Sequence, residues 1–114
     1  MIIFVYNADS GIVNVSMDVA HKLLSPSTYS CRLCQMTYGV LAERRVWKHF
    51  RQSTGEDFLF LHRDEFEARF VNRFEYPVIL KKSGDKLSVV ISQLEMEKMS
   101  DVTELIDRLE GVVT

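Results

Sequence analysis

Residues 76–91, YPVILKKSGDKLSVVI, have the sequence pattern of a β-hairpin. Two apolar runs, 77–80 and 87–91, flank a short polar segment that contains Gly84. Short hairpin loops favour glycine because it tolerates a positive φ at no steric cost. Apolar runs bounded by turn residues are typical of paired strands. The segment therefore predicts two antiparallel strands joined by a tight turn.

Strands and helices alternate along the chain before this hairpin. Residues 1–6 are continuously apolar, as expected of a strand that is covered on both faces. Apolar residues recur at three- and four-residue steps over 12–24 and again over 41–53, which predicts two amphipathic helices. Residues 58–61 form a short apolar run that predicts a buried strand. We expect the second helix to bury three side chains: Val46, Trp47 and Phe50.

Capping patterns predict two further helices. Residues 64–67, DEFE, resemble a capping box, and Phe66 and Phe70 then lie on one face of a short helix. After the hairpin, Ser92 or Ser100 begins a closing helix. The apolar positions of that closing helix are Val102, Leu105, Ile106 and Leu109.

This order of elements predicts an α/β fold in a single domain spanning 1–114. Helices separate the first three strands, so right-handed crossovers would make those strands parallel, and the hairpin adds an antiparallel edge. The expected result is a mixed four-stranded sheet with helices on both faces. Between the first two helices lies a connection over 25–40 that holds both cysteines. A connection of that length inside a compact domain is often functional.

Composition agrees with one soluble domain. The chain has 114 residues, of which 46% are hydrophobic and 26% are charged. Its formal net charge of −2 lacks the basic field of a nucleic-acid binder, which disfavours nucleic acid as a partner. Residues 1–6 do not have the pattern of a signal peptide, since no basic residues lead the apolar run and no small-residue cleavage site follows it. No uncharged run approaches the ~20 residues that cross a bilayer, so no membrane partner is expected. We therefore expect a cytoplasmic protein whose thiols are kept reduced.

The element order and one proline resemble the thioredoxin/glutaredoxin superfamily. In that superfamily a proline, often cis, lies directly before the first hairpin strand, and Tyr76-Pro77 matches the position. The resemblance covers most of the chain. It implies a thioredoxin-like three-layer sandwich.

The cysteines depart from the pattern of that superfamily. Its enzymes carry the nucleophilic cysteine directly after the first strand, where the dipole of the next helix lowers the thiol pKa. Here residues 7–11, NADSG, occupy that position and contain no thiol. The motif Cys31-Arg32-Leu33-Cys34 comes a full helix later. If that helix runs antiparallel to the first strand, Cys31 emerges at the opposite end of the sheet from Pro77.

Three motifs resemble a set of small bacterial proteins of unknown function. They are the turn YNADSG over 6–11, the segment CRLCQMTYG over 31–39 and the stretch LHRDEF over 61–66. Some proteins of that set carry a GTPase label. None of the five glycines of this chain is followed by lysine, so the phosphate-binding loop of such enzymes is absent from the sequence.

Three interpretations of Cys31 and Cys34 stay open. Two cysteines separated by two residues lie within disulfide reach, so they can form a redox pair with catalytic thiols. Arg32 between them is an electropositive neighbour that would favour a thiolate. Alternatively, the pair supplies half of a zinc site, or both are small buried side chains that shape a loop.

A zinc site needs further ligands beyond the two thiolates. His21 is the best candidate within the chain, because it lies ten residues before Cys31 and one turn from the end of the predicted first helix. The same motif of a second protomer would instead complete an all-thiolate site in a homodimer. His49 lies in a basic helix and is expected to face solvent, and His62 is expected to cap or to hydrogen-bond at a strand end.

Two polar features outside the cysteine motif are candidates for binding. Arg44, Lys48 and Arg51 recur at helical spacing, which suits an acidic partner, a phosphate backbone or a solvated helix face, and the overall acidity favours the solvated face. The turn over 7–11 follows a strand at the start of a helix, where α/β folds bind ligands, although simple N-capping explains it as well.

Two functions therefore compete. The first is a dithiol redox or redox-sensing domain in which Cys31 and Cys34 are the catalytic thiols. The second is a non-enzymatic module that binds a protein or small molecule, in which the cysteines, with His21, hold zinc or shape a loop. Zinc is the only cofactor that either hypothesis invokes, and the sequence does not decide whether the protein is an enzyme.

Overall fold

The computed structural model describes residues 1–7, 32–37 and 43–113. It contains four strands, β1 (Ile2–Tyr6), β2 (Phe58–His62), β3 (Val78–Ser83) and β4 (Lys86–Ile91). The described helices are α1 (Arg32–Thr37), α2 (Arg45–Ser53), α3 (Arg63–Arg69), α4 (Gln93–Glu97) and α5 (Val102–Val113). The helix predicted over 12–24 lies outside the described residues.

The strands form one mixed open sheet in the order β2-β1-β3-β4, which confirms the expected α/β class. β1 pairs in parallel with β2, from Ile2 opposite Phe58 to Tyr6 opposite His62. We call the end of the sheet at which Tyr6 and His62 lie its carboxyl edge. β3 is antiparallel to β1, and β4 is antiparallel to β3.

The expectation that the first three strands are parallel is wrong for β3. β2 ends at His62, and β3 begins at Val78 opposite Val5, so the intervening chain starts and finishes at the carboxyl edge. Its helix α3 has seven residues and rises about 10 Å, whereas a five-residue strand is about 16 Å long. A helix that short does not return the chain to the other end of the sheet, so β3 runs back against β1.

Alternating side chains of β1 enter two hydrophobic clusters, one on each face of the sheet. Ile2 and Phe4 belong to the larger cluster, together with buried side chains of α1, α2, α4 and α5. Ile3 and Val5 belong to the smaller cluster, which contains Phe66 of α3. All four of these β1 residues are fully buried. Described helices therefore cover both faces of the sheet.

The prediction for α2 is right for two side chains and wrong for one. Trp47 and Phe50 are buried, but Val46 is 52% exposed. On an α-helix 100° separates neighbouring residues, so Val46 lies to one side of the buried stripe. Trp47 packs against Phe4 with the ring centroids 5.5 Å apart in an edge-to-face arrangement.

The end of the chain forms two helices rather than one. Ser92 caps α4, because its Oγ accepts a hydrogen bond from the N–H of Glu95 at 3.2 Å. Asp101 caps α5, since its Oδ1 accepts from the N–H groups of Thr103 and Glu104. The prediction of Ser92 as a helix start is therefore confirmed, whereas the cap of α5 is Asp101, one residue after the predicted Ser100. In the hairpin, Gly84 has a φ of +60°, which an L side chain rarely adopts.

Candidate functional site

Cys34 lies in the helix α1, not in a loop as the connection predicted over 25–40 implied. The side chain is partly buried and packs against the larger hydrophobic cluster. Its sulfur is disulfide-bonded. Cys31, the other cysteine of the sequence, lies outside the described residues. The structure therefore places one of the two predicted thiol positions, at the boundary between core and surface.

Buried side chains on either side of Cys34 attach α1 to the core. Leu33 is fully buried and Met36 is 2% exposed, and both belong to the larger cluster. Thr37 is also fully buried, and its Oγ1 donates to the carbonyl oxygen of Leu33 at 2.8 Å. A buried hydroxyl must be hydrogen-bonded to avoid a desolvation cost, and this bond within the helix satisfies it.

Arg32 attaches the beginning of α1 to the connection between α4 and α5. Its Nη2 donates to the carbonyl oxygens of Met99 and Ser100, the second at 2.9 Å. Its Nη1 donates to Oε1 of Gln35 at 3.3 Å. The guanidinium that the sequence suggested as a neighbour for a thiolate thus forms hydrogen bonds with backbone carbonyls 67 and 68 residues away.

Arg44 attaches the other end of the same helix. Its Nε and Nη2 both donate to the carbonyl oxygen of Gln35, at 3.3 and 3.0 Å. Its backbone N–H donates to the carbonyl oxygen of Thr37 at 2.8 Å. The last carbonyls of a helix lack intrahelical partners, and these bonds supply them. Arginines from within and beyond α1 therefore fix both of its ends.

The chain segment that Arg32 contacts follows β4, and β4 ends near Pro77. β4 ends at Ile91, which pairs with Ile79, two residues after Pro77 at the carboxyl edge. Ser92 and α4 then lead directly to the carbonyls of Met99 and Ser100 that Arg32 contacts. The Tyr76-Pro77 peptide bond is cis. The expected separation of Cys31 from Pro77 concerns a residue outside the described ones and stays a prediction.

The histidines proposed as zinc ligands do not gather around Cys34 in the described part of the chain. His21 lies outside the described residues, and His49 is exposed on α2, as expected. His62 lies at the start of α3, where its backbone N–H donates to Oε1 of Glu65 at 2.8 Å. Among residues 1–7, 32–37 and 43–113, no three His, Cys, Asp or Glu side chains form a group that could hold a metal.

His62 and Glu65 form the local contact at the start of α3. The Nδ1 atom of His62 lies 2.6 Å from Oε1 of Glu65. The hydrogen bond from the His62 backbone lowers the pKa of the Glu65 carboxyl, and the imidazole adds to that shift. This confirms a capping role for this end of the strand. The sequence signal was Glu65 three residues after His62, although the predicted box began at Asp64.

Asn7 is the one described residue of the turn over 7–11, and it lies at the carboxyl edge. Its Oδ1 accepts a hydrogen bond from Nη1 of Arg63 at 3.0 Å. Arg63 is the first residue of α3, so this bond joins the end of β1 to the start of that helix. Sequence reasoning did not single out Arg63, because its partner is 56 residues away.

Tyr76 and Glu67 form a second polar contact near the cis proline. The Tyr76 hydroxyl donates to Oε2 of Glu67 at 2.8 Å. Burial, together with this bond to a carboxylate, raises the pKa of Tyr76 to about 12. Arg73 lies 3.5 Å from the other oxygen of the same carboxylate. The phenol is therefore neutral at physiological pH and acts as a donor that fixes the loop before Pro77.

The basic residues of α2 are divided between contacts within the chain and solvent. Arg51 forms a bidentate pair with Glu43, at 2.6 and 2.7 Å, and Arg44 contacts α1 as described. Arg45 and Lys48 are exposed. The stripe predicted as Arg44, Lys48 and Arg51 is therefore not a continuous solvated face, because Arg44 and Arg51 form contacts within the chain.

Comparisons with known proteins give no relationship. No family model, no curated protein and no solved structure matches the chain. Among the described helices, none is long and apolar enough to span a membrane.

Proposed function

We propose that this protein is a thioredoxin-like dithiol domain of the cytoplasm whose reactive groups are Cys31 and Cys34. The observation that carries the proposal is the state and place of Cys34. Its sulfur is disulfide-bonded, and it lies on a short helix whose two ends are fixed by Arg32 and Arg44. Reversible disulfide formation needs cysteines held in a defined position, and the fixed helix around Cys34 supports that role.

The arrangement of the sheet supports the fold part of the proposal. The order β2-β1-β3-β4, with β1 and β2 parallel and β3 antiparallel to its neighbours, resembles the sheet of the thioredoxin superfamily. The cis bond before Pro77 lies directly before β3, as in that superfamily. The proposed three-layer sandwich then has β1 and β3 at the centre of the sheet.

The proposed chemistry is thiol–disulfide exchange. In the reduced protein, one cysteine attacks a substrate disulfide as a thiolate and displaces one substrate sulfur, which takes up a proton. The second cysteine then attacks the mixed disulfide, releases the other substrate sulfur as a thiol and leaves the Cys31–Cys34 disulfide. Two electrons pass from the protein to the substrate. A redox sensor is oxidised by the same reaction, with an oxidant such as glutathione disulfide in the place of the substrate disulfide, and a reducing dithiol reverses it.

The test is a redox titration of the purified protein. The protein is equilibrated in buffers of fixed dithiothreitol ratio, the free thiols are trapped by alkylation, and the mass shift is read. We expect one transition from no to two alkylated thiols, with the slope of a two-electron couple. Cys31→Ser and Cys34→Ser should each lose the transition, whereas the distant Ser88→Ala should keep it.

Two results would overturn the proposal. Two thiols that stay reduced at every ratio would indicate buried structural cysteines. Stoichiometric zinc in the purified protein that is lost in Cys31→Ser, Cys34→Ser or His21→Ala would indicate the metal-binding module instead. Metal content is therefore measured on the same preparation before the titration.

A further inference from the structure

Two helices of opposite charge lie side by side over one face of the sheet. α2 contacts α5, and both contribute to the larger hydrophobic cluster. Trp47 and Phe50 of α2 point into that cluster, and so do Leu105 and Leu109 of α5. The opposite sides of both helices therefore form one outer surface of the molecule.

The outer side of α2 is basic. Arg45, Lys48 and His49 are exposed and lie opposite the buried stripe of the helix. Arg45 and Lys48 are three residues apart, so their side chains lie one helical turn from each other. The acidic residue nearest to them in sequence, Glu43, is paired with Arg51. The outer side of α2 thus carries two cationic side chains, Arg45 and Lys48, on the same face of the helix.

The outer side of α5 is acidic and has the same spacing. Glu104 and Asp107 are exposed, three residues apart, and lie opposite the buried side of the helix. Asp101, which caps this helix, and Glu110 within it are also exposed. Arg108, the cation of α5, is paired with Glu95 at 2.5 Å. The two helices therefore present pairs of opposite charge at the same three-residue spacing.

We propose that the outer surface of α2 and α5 is the interface of a symmetric dimer of this chain. The proposed two-fold axis lies in the plane of the interface, midway between α2 and α5. A rotation of 180° about it places α2 of each copy opposite α5 of the other. Arg45 and Lys48 of each copy then meet Glu104 and Asp107 of its partner, and the contact occurs twice. Each chain has a net charge of −2, so the pattern of charges rather than the net charge brings the copies together.

One further feature of the same surface suits a second copy. A groove of about 360 Å³ between α4 and α5 is lined by Glu95, Lys98, Met99, Glu104, Asp107 and Arg108. Three carboxylates and two cations line it, so this groove beside Glu104 and Asp107 offers charged contacts to a partner chain.

A charge exchange between variants tests this interface. The first variant, Arg45→Glu/Lys48→Glu, makes both outer surfaces acidic, and the second, Glu104→Lys/Asp107→Lys, makes both basic. We expect each variant alone to dimerise about a hundredfold more weakly than the wild type because like charges then face each other. A one-to-one mixture should restore the dimer, since both contacts become complementary again. Sedimentation equilibrium measures the masses.

Salt and a matched variant provide the controls. We expect the wild-type dimer to weaken about tenfold between 0.05 and 0.5 M salt, because exposed charges are screened over the Debye length. Lys81→Glu/Lys86→Glu changes the same amount of charge on the exposed hairpin and should leave the dimer intact. Circular dichroism confirms that all variants are folded.

Either of two results would overturn the proposal. A wild-type chain that stays monomeric at millimolar concentration and low salt has no such interface. A dimer that survives in both variants, or a mixture that remains monomeric, assigns association to another surface. These outcomes do not depend on the state of the cysteines, so they are independent of the proposed dithiol function.

Discussion

α1 and α3 are helices of six and seven residues that are held in place by different means. Isolated helices of this length are not stable in water, so each depends on further interactions. α3 has local ones, namely the Glu65 carboxylate at its first turn and Arg69 at its last turn, which complement the helix dipole. α1 has no acidic residue in its first turn and no basic residue in its last.

Long-range contacts replace local ones in α1. Arg32 contacts the carbonyls of Met99 and Ser100, and Leu33 is buried in the larger cluster. The helix that carries Cys34 therefore exists only when the rest of the domain has folded around it. α3 instead has its own start signal and docks through a single buried side chain, Phe66. The difference predicts which substitutions act on one helix and which act on the whole domain.

The largest effect is expected for Phe66→Ala. Phe66 is fully buried and its ring contacts Phe70, Phe74 and Tyr76, with centroids 4.9 to 6.2 Å apart. Removing a buried phenylalanine leaves a cavity and costs about 3–5 kcal/mol. Urea unfolding measures the loss. A cost near that of an exposed substitution such as Val71→Ala would show that α3 is held by its capping contacts rather than by Phe66.

Leu33→Ala is expected to follow, with a cost of about 2–5 kcal/mol for a fully buried leucine. The position of Leu33 between Arg32 and Cys34 gives this variant a second effect. Because α1 has no local stabilisation, its backbone should lose protection in amide hydrogen exchange more than α3 does. Equal loss in both helices would contradict the dependence of α1 on the core. The experiment is done with the cysteines in one redox state.

Arg32→Ala is expected to cost about 1–3 kcal/mol, since a guanidinium that donates to two carbonyls contributes more than a neutral hydrogen bond. Lys86→Ala is the control, because Lys86 is exposed on the hairpin, and its cost should stay within about 0.5 kcal/mol. Thermal unfolding of both variants checks the difference. If the two costs were the same, the contact of α1 with the connection before α5 would not stabilise the domain.

The same contrast explains what the sequence could predict. The hairpin, α3 and the capping at Ser92 depend on neighbouring residues, such as Gly84 in the turn, and these predictions are confirmed. α1 depends on partners 67 and 68 residues away, and no local pattern shows them. The direction of β3 was predicted wrongly because the crossover rule assumes a connecting helix that spans the sheet.

The sequence could predict which residues form the candidate site, but not the helix and contacts that surround them. The CxxC spacing singled out Cys34, yet only the fold shows that it lies on a helix that Arg32 and Arg44 fix at both ends. The zinc hypothesis needed ligands distant in sequence, and spacing alone could not bring His21 or His62 towards the cysteines. His62 is instead used at the start of α3.

The smallest effect is a pH dependence confined to the locally stabilised helix. The pKa of Glu65 is lowered chiefly by the His62 backbone hydrogen bond, so the ionised carboxylate is favoured in the folded state. A lowered folded pKa adds stability above the unfolded value of 4.5, and that stability is lost as the pH falls through the folded pKa. Glu65→Gln removes the titrating group but keeps a side-chain oxygen as acceptor.

We therefore expect the difference in unfolding free energy between wild type and Glu65→Gln to be constant at neutral pH and to shrink below 4.5. Because Glu65 is exposed, the effect should be small and should decrease with added salt. Urea unfolding of both proteins over the acidic range measures it. A difference that grows on acidification would reverse the sign and would mean that the carboxylate is disfavoured in the folded state. Protection of α1 in hydrogen exchange should not change, since its stabilising contacts are arginines and buried side chains that do not titrate in this range.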